Sequence, residues 1–150
     1  ANQITQYKMN LMDLNQENIQ IPPLEFESVI TLPSCNFQKI CRDMFNLSDN
    51  IEITTFGEQI TFKCKGDIAD QETSIGQSTT GGMNCVVNEN SNEIIQGMFS
   101  LKYLVLFTKC TNLSSSIELY LKNDYPLIIR YQVANLGEVK LCLAPVSLHD

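Results

Sequence analysis

MFSLKYLVLFTKCTNLSSS, residues 98–116, holds an apolar helical segment without an acidic residue, in a chain whose formal net charge is -7. Its only charges are Lys102 and Lys109. Their spacing is close to two helical turns of ~3.6 residues, so both lysines are expected to leave one face. An acidic chain that keeps one helix face basic has segregated its charge. Segregated positive charge implies a polyanion opposite it, nucleic acid first.

A second segment of the same kind is SCNFQKICRDMFN, residues 34–46. Phe37, Ile40, Cys41 and Met44 fall at i, i+3, i+4 and i+7 and form one buried stripe, with Lys39 and Arg42 on the opposite side. Ser34, directly after Pro33, is the expected N-cap. The rest alternates. Residues 3–12 place Ile4, Tyr7, Met9 and Leu11 at strand period, and residues 27–32 centre on Val29 and Ile30. IEITTF and EQITFKCKGDI flank Gly57-Glu58, a hairpin signal, and ETSI follows. NCVVNENSNEI reads as a short strand entering the second helix, and QSTTGGMN before it as a turn without a phosphate cradle's context. SSIELYLK, PLIIRYQV and EVKLCLAP are three further strands, parted by Asn123-Asp124 and by Asn135-Leu136-Gly137. The pattern is two βαβββ units in one α+β domain, with two helices on one face of antiparallel sheets.

Composition narrows the chemistry. With 150 residues the chain has the size of one ordinary domain, and an apolar share of 43% against a charged share of 18% describes a folded protein. The cysteines, Cys35, Cys41, Cys64, Cys85, Cys110 and Cys142, lie singly, with no CxxC and with His149 as the sole histidine, so a zinc site is not expected. Several stand inside apolar runs, where a small buried thiol is the ordinary occupant, so a disulfide framework is not expected either. No apolar run approaches the ~20 residues that span a bilayer. Ser114-Ser115-Ser116 has no base to activate it, and the carboxylates Glu52, Glu58, Asp67, Asp70 and Glu72 are spread as on an acidic surface. No catalytic residue, metal ligand or cofactor emerges. The start at Ala1, inside an alternating stretch, reads like the middle of a strand, so further residues upstream are expected.

LPSCNFQKICRDM, LKYLVLFTKCTNLSSS and NDYPLIIRYQVANLGEVKLCLAP, in this order, resemble the second half of the proliferating cell nuclear antigen (PCNA) family, the DNA sliding clamps. YKMNLMDLNQENIQIPPLEF is similar to that family's last N-terminal-domain strand followed by its interdomain connecting loop. The resemblance divides the chain into residues 1–13, the last strand of a missing N-terminal domain, residues 14–26, the connecting loop, and residues 27–150, the C-terminal clamp domain. It implies a nuclear homotrimeric ring, loaded by a clamp loader, that encircles duplex DNA without reading its sequence and has no reaction of its own. Lys39, Arg42, Lys102 and Lys109 match channel-facing positions that meet phosphates. Val105 and Leu106 flank the line from Lys102 to Lys109, a thinner polar stripe than the family's, which implies a loose contact. Ile19, Ile21, Pro22, Phe26, Pro126, Cys142, Ala144 and Pro145 match the pocket that receives PCNA-interacting peptides of DNA polymerase and other replication and repair proteins. Cys142 stands where relatives usually carry an aromatic residue. Tyr7, with Asp67, Ile68 and Ile75, matches the strands that pair between subunits. The other readings of these residues are a checkpoint-type or otherwise specialised clamp subunit, a nucleic-acid-processing enzyme domain, and an acidic peptide-binding module.

Overall fold

Alternating burial marks β1 (Ser28–Pro33), where Ser28, Ile30 and Leu32 turn inward while Val29 and Thr31 stay half covered. The computed structural model describes residues 3–11, 26, 28–76 and 93–146, together with the backbone course of 84–87. Of the connector expected at 14–26 all but Phe26, of the turn expected at 77–84 all but Asn84, and His149 lie outside the described residues.

Pro33 closes β1 and α1 (Ser34–Phe45) follows, with Ser34, Phe37, Ile40, Cys41 and Met44 buried along one side. The i, i+3, i+4, i+7 stripe is the face on which the helix packs. Ser34 does not cap this helix. The N-cap position belongs to Pro33, and the buried Ser34 hydroxyl donates to the carbonyl of Ser114 at 2.5 Å while its N–H donates to that of Ser115 at 3.0 Å. An enclosed hydroxyl takes the nearest acceptor, which here belongs to a distant turn.

β2 (Asn50–Phe56) and β3 (Gln59–Lys65) form the expected hairpin. Gly57 has φ +56° and Glu58 has no positive φ, the pattern of a type II′ turn. β4 (Asp70–Gly76) pairs with β3, and β5 (Asn84–Val87) crosses to pair with β1. β6 (Ile95–Ser100) follows and pairs with β2.

The segment at 98–116 is therefore not one helix. Residues 98–100 end β6, α2 is Leu101–Phe107, and Thr108–Leu113 form a 3₁₀ segment. Two threonines explain the tightening: the Thr108 hydroxyl donates to the Val105 carbonyl at 2.9 Å and the Thr111 hydroxyl to the Thr108 carbonyl at 2.6 Å. Side chains that bond carbonyls three residues back favour the tighter turn. β7 (Ser116–Leu121), β8 (Leu127–Val133) and β9 (Gly137–Leu143) complete the chain as an antiparallel meander.

Two sheets result, one in the order β5-β1-β7-β8-β9 and the other β4-β3-β2-β6. Each βαβββ unit gives its first strand to the sheet of the other. The inner faces and the helices share one core, built from Ile30 and Leu32, Phe37 and Met44, Ile51 and Ile53, Phe62, Phe99, Leu101, Leu104, Leu119, Ile129 and Tyr131. Burial pushes the Tyr131 phenol up to about 12, and its hydroxyl reaches the Phe107 carbonyl at 3.4 Å.

One turn depends on the absence of a side chain. A Cβ on Gly66 would lie 2.4 Å from the Leu47 carbonyl oxygen and 2.7 Å from that of Ala69, and the Gly66 N–H already donates to Ala69 at 3.1 Å. Both obstacles are backbone and cannot swing aside. Gly66→Ala is expected to cost about 1–3 kcal/mol, as forced overpacking does. The measurement is the midpoint and slope of urea denaturation; an unchanged midpoint would exclude this account of the turn.

Candidate functional site

The cations of the helix layer stand apart from the rest of the charge. Lys39 and Arg42 on α1, Lys102 on α2 and Lys109 in the 3₁₀ segment are all exposed, and none forms an ion pair among the described residues. On the sheets, by contrast, Lys63 holds Glu72 at 3.0 Å, and Arg130 holds Glu118 at 2.6 Å and also Glu138. An unpaired exposed cation keeps its full attraction for an outside anion. Lys102 and Lys109 lie on different kinds of helix but keep their shared direction: five α-helical steps of about 100° and two 3₁₀ steps of about 120° bring Lys109 back to within roughly 20° of Lys102.

α1 packs against both α2 and the 3₁₀ segment, and Gln38 Nε2 donates to the Thr108 carbonyl at 2.9 Å, so both cation pairs belong to one layer. Asp43 is the one acidic residue of α1, and α2 and the 3₁₀ segment have none. Val105 is half-buried and packs against the core, so Leu106, exposed, is the apolar residue that interrupts the basic line.

The opposite, outward face of the larger sheet carries an apolar row. Register places Val29, Tyr120, Ile128 and Cys142 side by side on β1, β7, β8 and β9, with their sequence neighbours Ile30, Leu119 and Ile129 in the core. Phe26 meets the Tyr120 ring edge-on, centroids 5.3 Å apart. The Tyr120 hydroxyl donates to Glu118 at 2.7 Å, and Arg130 anchors the same carboxylate, which fixes the ring. Continuing the pairing of Leu127 with Leu143 sets Pro126 opposite Ala144, so Phe26, Pro126, Cys142 and Ala144 belong to one face, with Pro145 next in sequence. Pro126, Cys142, Ala144 and Pro145 are exposed and Phe26 is half-covered. Ile19, Ile21 and Pro22 lie outside the described residues.

Sequence reasoning missed Tyr120 and Ile128. The signal was the Ile128-Ile129 doublet: consecutive strand residues point to opposite faces, so one of two adjacent isoleucines had to face outward.

β4 is an edge strand of the smaller sheet. Ile75 lies on it, half-buried against the core, but Asp67 and Ile68 sit in the turn before it rather than on the strand itself. Residues 3–11 are exposed and form no strand among the described residues, with Tyr7 at 87% and Ile68 at 98% exposure. These are the levels of residues that have nothing among the described residues to pack on.

Comparison with known proteins points one way. The family model described as "Proliferating cell nuclear antigen, C-terminal domain" matches residues 20–146. A protein named "Probable DNA polymerase sliding clamp 1", from Paramecium bursaria Chlorella virus 1, is 37% identical over 149 residues, which is 97% of this chain and 55% of that protein. The chain thus spans about half the length of the curated relative it matches.

The thiols sort by environment. Cys41 is fully buried and burial pushes its thiol up to about 12, Cys64 is buried, and Cys35 and Cys142 are exposed. Attack on an alkylating agent needs an accessible thiolate. Brief iodoacetamide treatment of the native protein is expected to label Cys35 and Cys142 while sparing Cys41 and Cys64 until denaturant is added. Peptide mass mapping reads this, and early labelling of Cys41 would contradict the core described above.

Proposed function

The chain belongs to the proliferating cell nuclear antigen family, and from that premise we propose that it works as part of a DNA sliding clamp, a processivity factor for DNA polymerase. The observation that carries this reading is the gathering of unpaired cations: Lys39, Arg42, Lys102 and Lys109 share the helix layer, while of the sheet cations Lys63, Arg130 and Lys140 are held by carboxylates and Lys65, at the end of β3, is not. The full ring is a homotrimer, closed by pairing the edge of β4 with the strand that residues 3–11 form in a neighbouring subunit. The helix layer then lines the channel, and its lysines meet duplex DNA through phosphates alone.

Such contacts carry no sequence information and fade with salt, which a ring that must move along DNA requires. Nothing in this role calls for a reaction. The clamp links other enzymes to their template and so raises their local concentration there. The outward row of Tyr120, Ile128 and Cys142, with Phe26, Pro126, Ala144, Pro145 and the connector residues Ile19, Ile21 and Pro22, takes the one-turn helix of PCNA-interacting peptides from polymerase and from other replication and repair proteins. A clamp loader opens and closes the ring, and the place of action is the site of DNA replication, in the nucleus.

The test separates the two surfaces. Lys102→Glu with Lys109→Glu is expected to weaken retention on circular DNA and to lower the slope of log affinity against log salt by roughly 2, about one per lost phosphate contact. Peptide binding should be unaffected. Ile21→Ala should do the reverse. Unaltered DNA loading and processivity after both charge reversals would overturn the channel assignment.

A further inference from the structure

We propose that Tyr120 decides which anchor the outward apolar row accepts: its ring, locked in place by Glu118 and Arg130, is a fixed wall that selects an aromatic over an aliphatic side chain. This rests on the partner face proposed above and assigns the selectivity of that face to one residue, with Glu118 as the residue that positions it.

The outer face of the larger sheet is built in rows across the strands. Tyr120, Ile128 and Cys142 stand side by side in the apolar one. The next row along the same strands is ionic, with Glu118, Arg130 and Lys140 in the same order. The Tyr120 hydroxyl donates to Glu118 Oε2 at 2.7 Å. A ring tied to the residue two positions back in its own strand lies along that strand instead of standing free above it. One side of it meets Phe26, with centroids 5.3 Å apart, and the other looks across the ladder to Ile128. Cys142 comes next, and its short side chain leaves the space over Ile128 open toward β9.

The tether is itself held. Arg130 Nη1 donates to the same Glu118 oxygen at 2.6 Å, its Nη2 to Gln132 Oε1 at 2.7 Å, and its Nε to Glu138, whose second oxygen meets Lys140 at 3.0 Å. A planar guanidinium bonded through all its nitrogens is a stiff support, since the fork is already organised when each further bond forms. Burial, and after it the bond to Glu118, raises the Tyr120 phenol above its ordinary value, so the hydroxyl stays a donor at neutral pH. The ionic row has its charges paired within itself. What Tyr120 turns toward a partner is therefore the ring alone.

A ring held in advance favours another ring. Edge-to-face or offset contact adds to area burial only where the geometry is kept, and a wall already ordered loses no rotamer freedom on binding. An aliphatic anchor covers Ile128 as well but gains nothing from the ring's orientation.

Two fluorescent peptides test this, identical one-turn helices with phenylalanine as the anchor in one and leucine in the other, each titrated against the native chain. Tyr120→Leu is expected to shrink the preference for the phenylalanine peptide by about three- to tenfold, the worth of one well-placed aromatic pair, and to leave the affinity of the leucine peptide unchanged. Glu118→Ala should remove part of the same preference, and Glu118→Gln, which still accepts the phenol proton, should restore it. A preference that survives Tyr120→Leu in full overturns the proposal while the partner face stands. Equal weakening of both peptides by Glu118→Ala overturns the positioning role, because loosening of the sheet lowers both affinities and spares their ratio. Failure of either peptide to bind the unaltered chain overturns the partner face itself and the proposal with it.

Discussion

The exchange of first strands is the constraint on which this structure rests. β1 completes the sheet of β7, β8 and β9, and β6 completes the sheet of β2, β3 and β4, so neither βαβββ unit closes a core alone. Burying Ile30 and Leu32 against one unit and Ile95 and Phe99 against the other joins both into a single apolar interior. Each helix has one side committed to that interior. What remains for recognition is the outer side of the helices, the outer faces of the sheets, and the strands at their edges.

That division sorts the charge as well. A helix gives its solvent side to whatever residues the sequence places there, and α1 and α2 place lysine and arginine there with Asp43 as the single acidic exception on α1. In the sheets, cross-strand neighbours bring opposite charges together, as Lys63 opposite Glu72 and Arg130 between Glu118 and Glu138 show. Lysine and arginine are therefore mostly neutralised on the sheets, Lys65 at the end of β3 excepted, and open on the helices. A net charge of -7 coexists with a basic layer because the acidic residues, Asp43 excepted, lie outside the helices.

Most of the fold was legible because its periodicities are strong. The apolar stripe of Phe37, Ile40, Cys41 and Met44, the Gly57-Glu58 hairpin and the three final strands stand as alternation predicts. The start of the second helix was not legible. Ile95 to Ser100 and Leu101 to Phe107 are both apolar, and a short strand running into a short helix has no polar break to divide them. Ser34 misled for a related reason: its hydroxyl could serve the helix or a distant carbonyl, and only the closure of the chain decides between them. The basic pairs were legible as charges. Their placement in one layer needed the contact of α1 with α2, which no local pattern encodes.

The outer face of the larger sheet shows why an outward apolar row hides in sequence. Ile128 faces away from the core yet is only 8% exposed, since Tyr120 and Cys142 flank it across the ladder. A run such as Leu127-Ile128-Ile129 therefore reads as a strand buried on both sides. The distinction matters physically: an isoleucine covered by core is fixed by packing, whereas one covered by neighbouring side chains at a surface can be met by an incoming group if those neighbours are small or mobile. Cys142 is the small neighbour. A thiol in that place leaves more of Ile128 within reach than an aromatic ring would, so the depth of this surface is set on β9, by a residue whose own strand position looks unremarkable in the sequence.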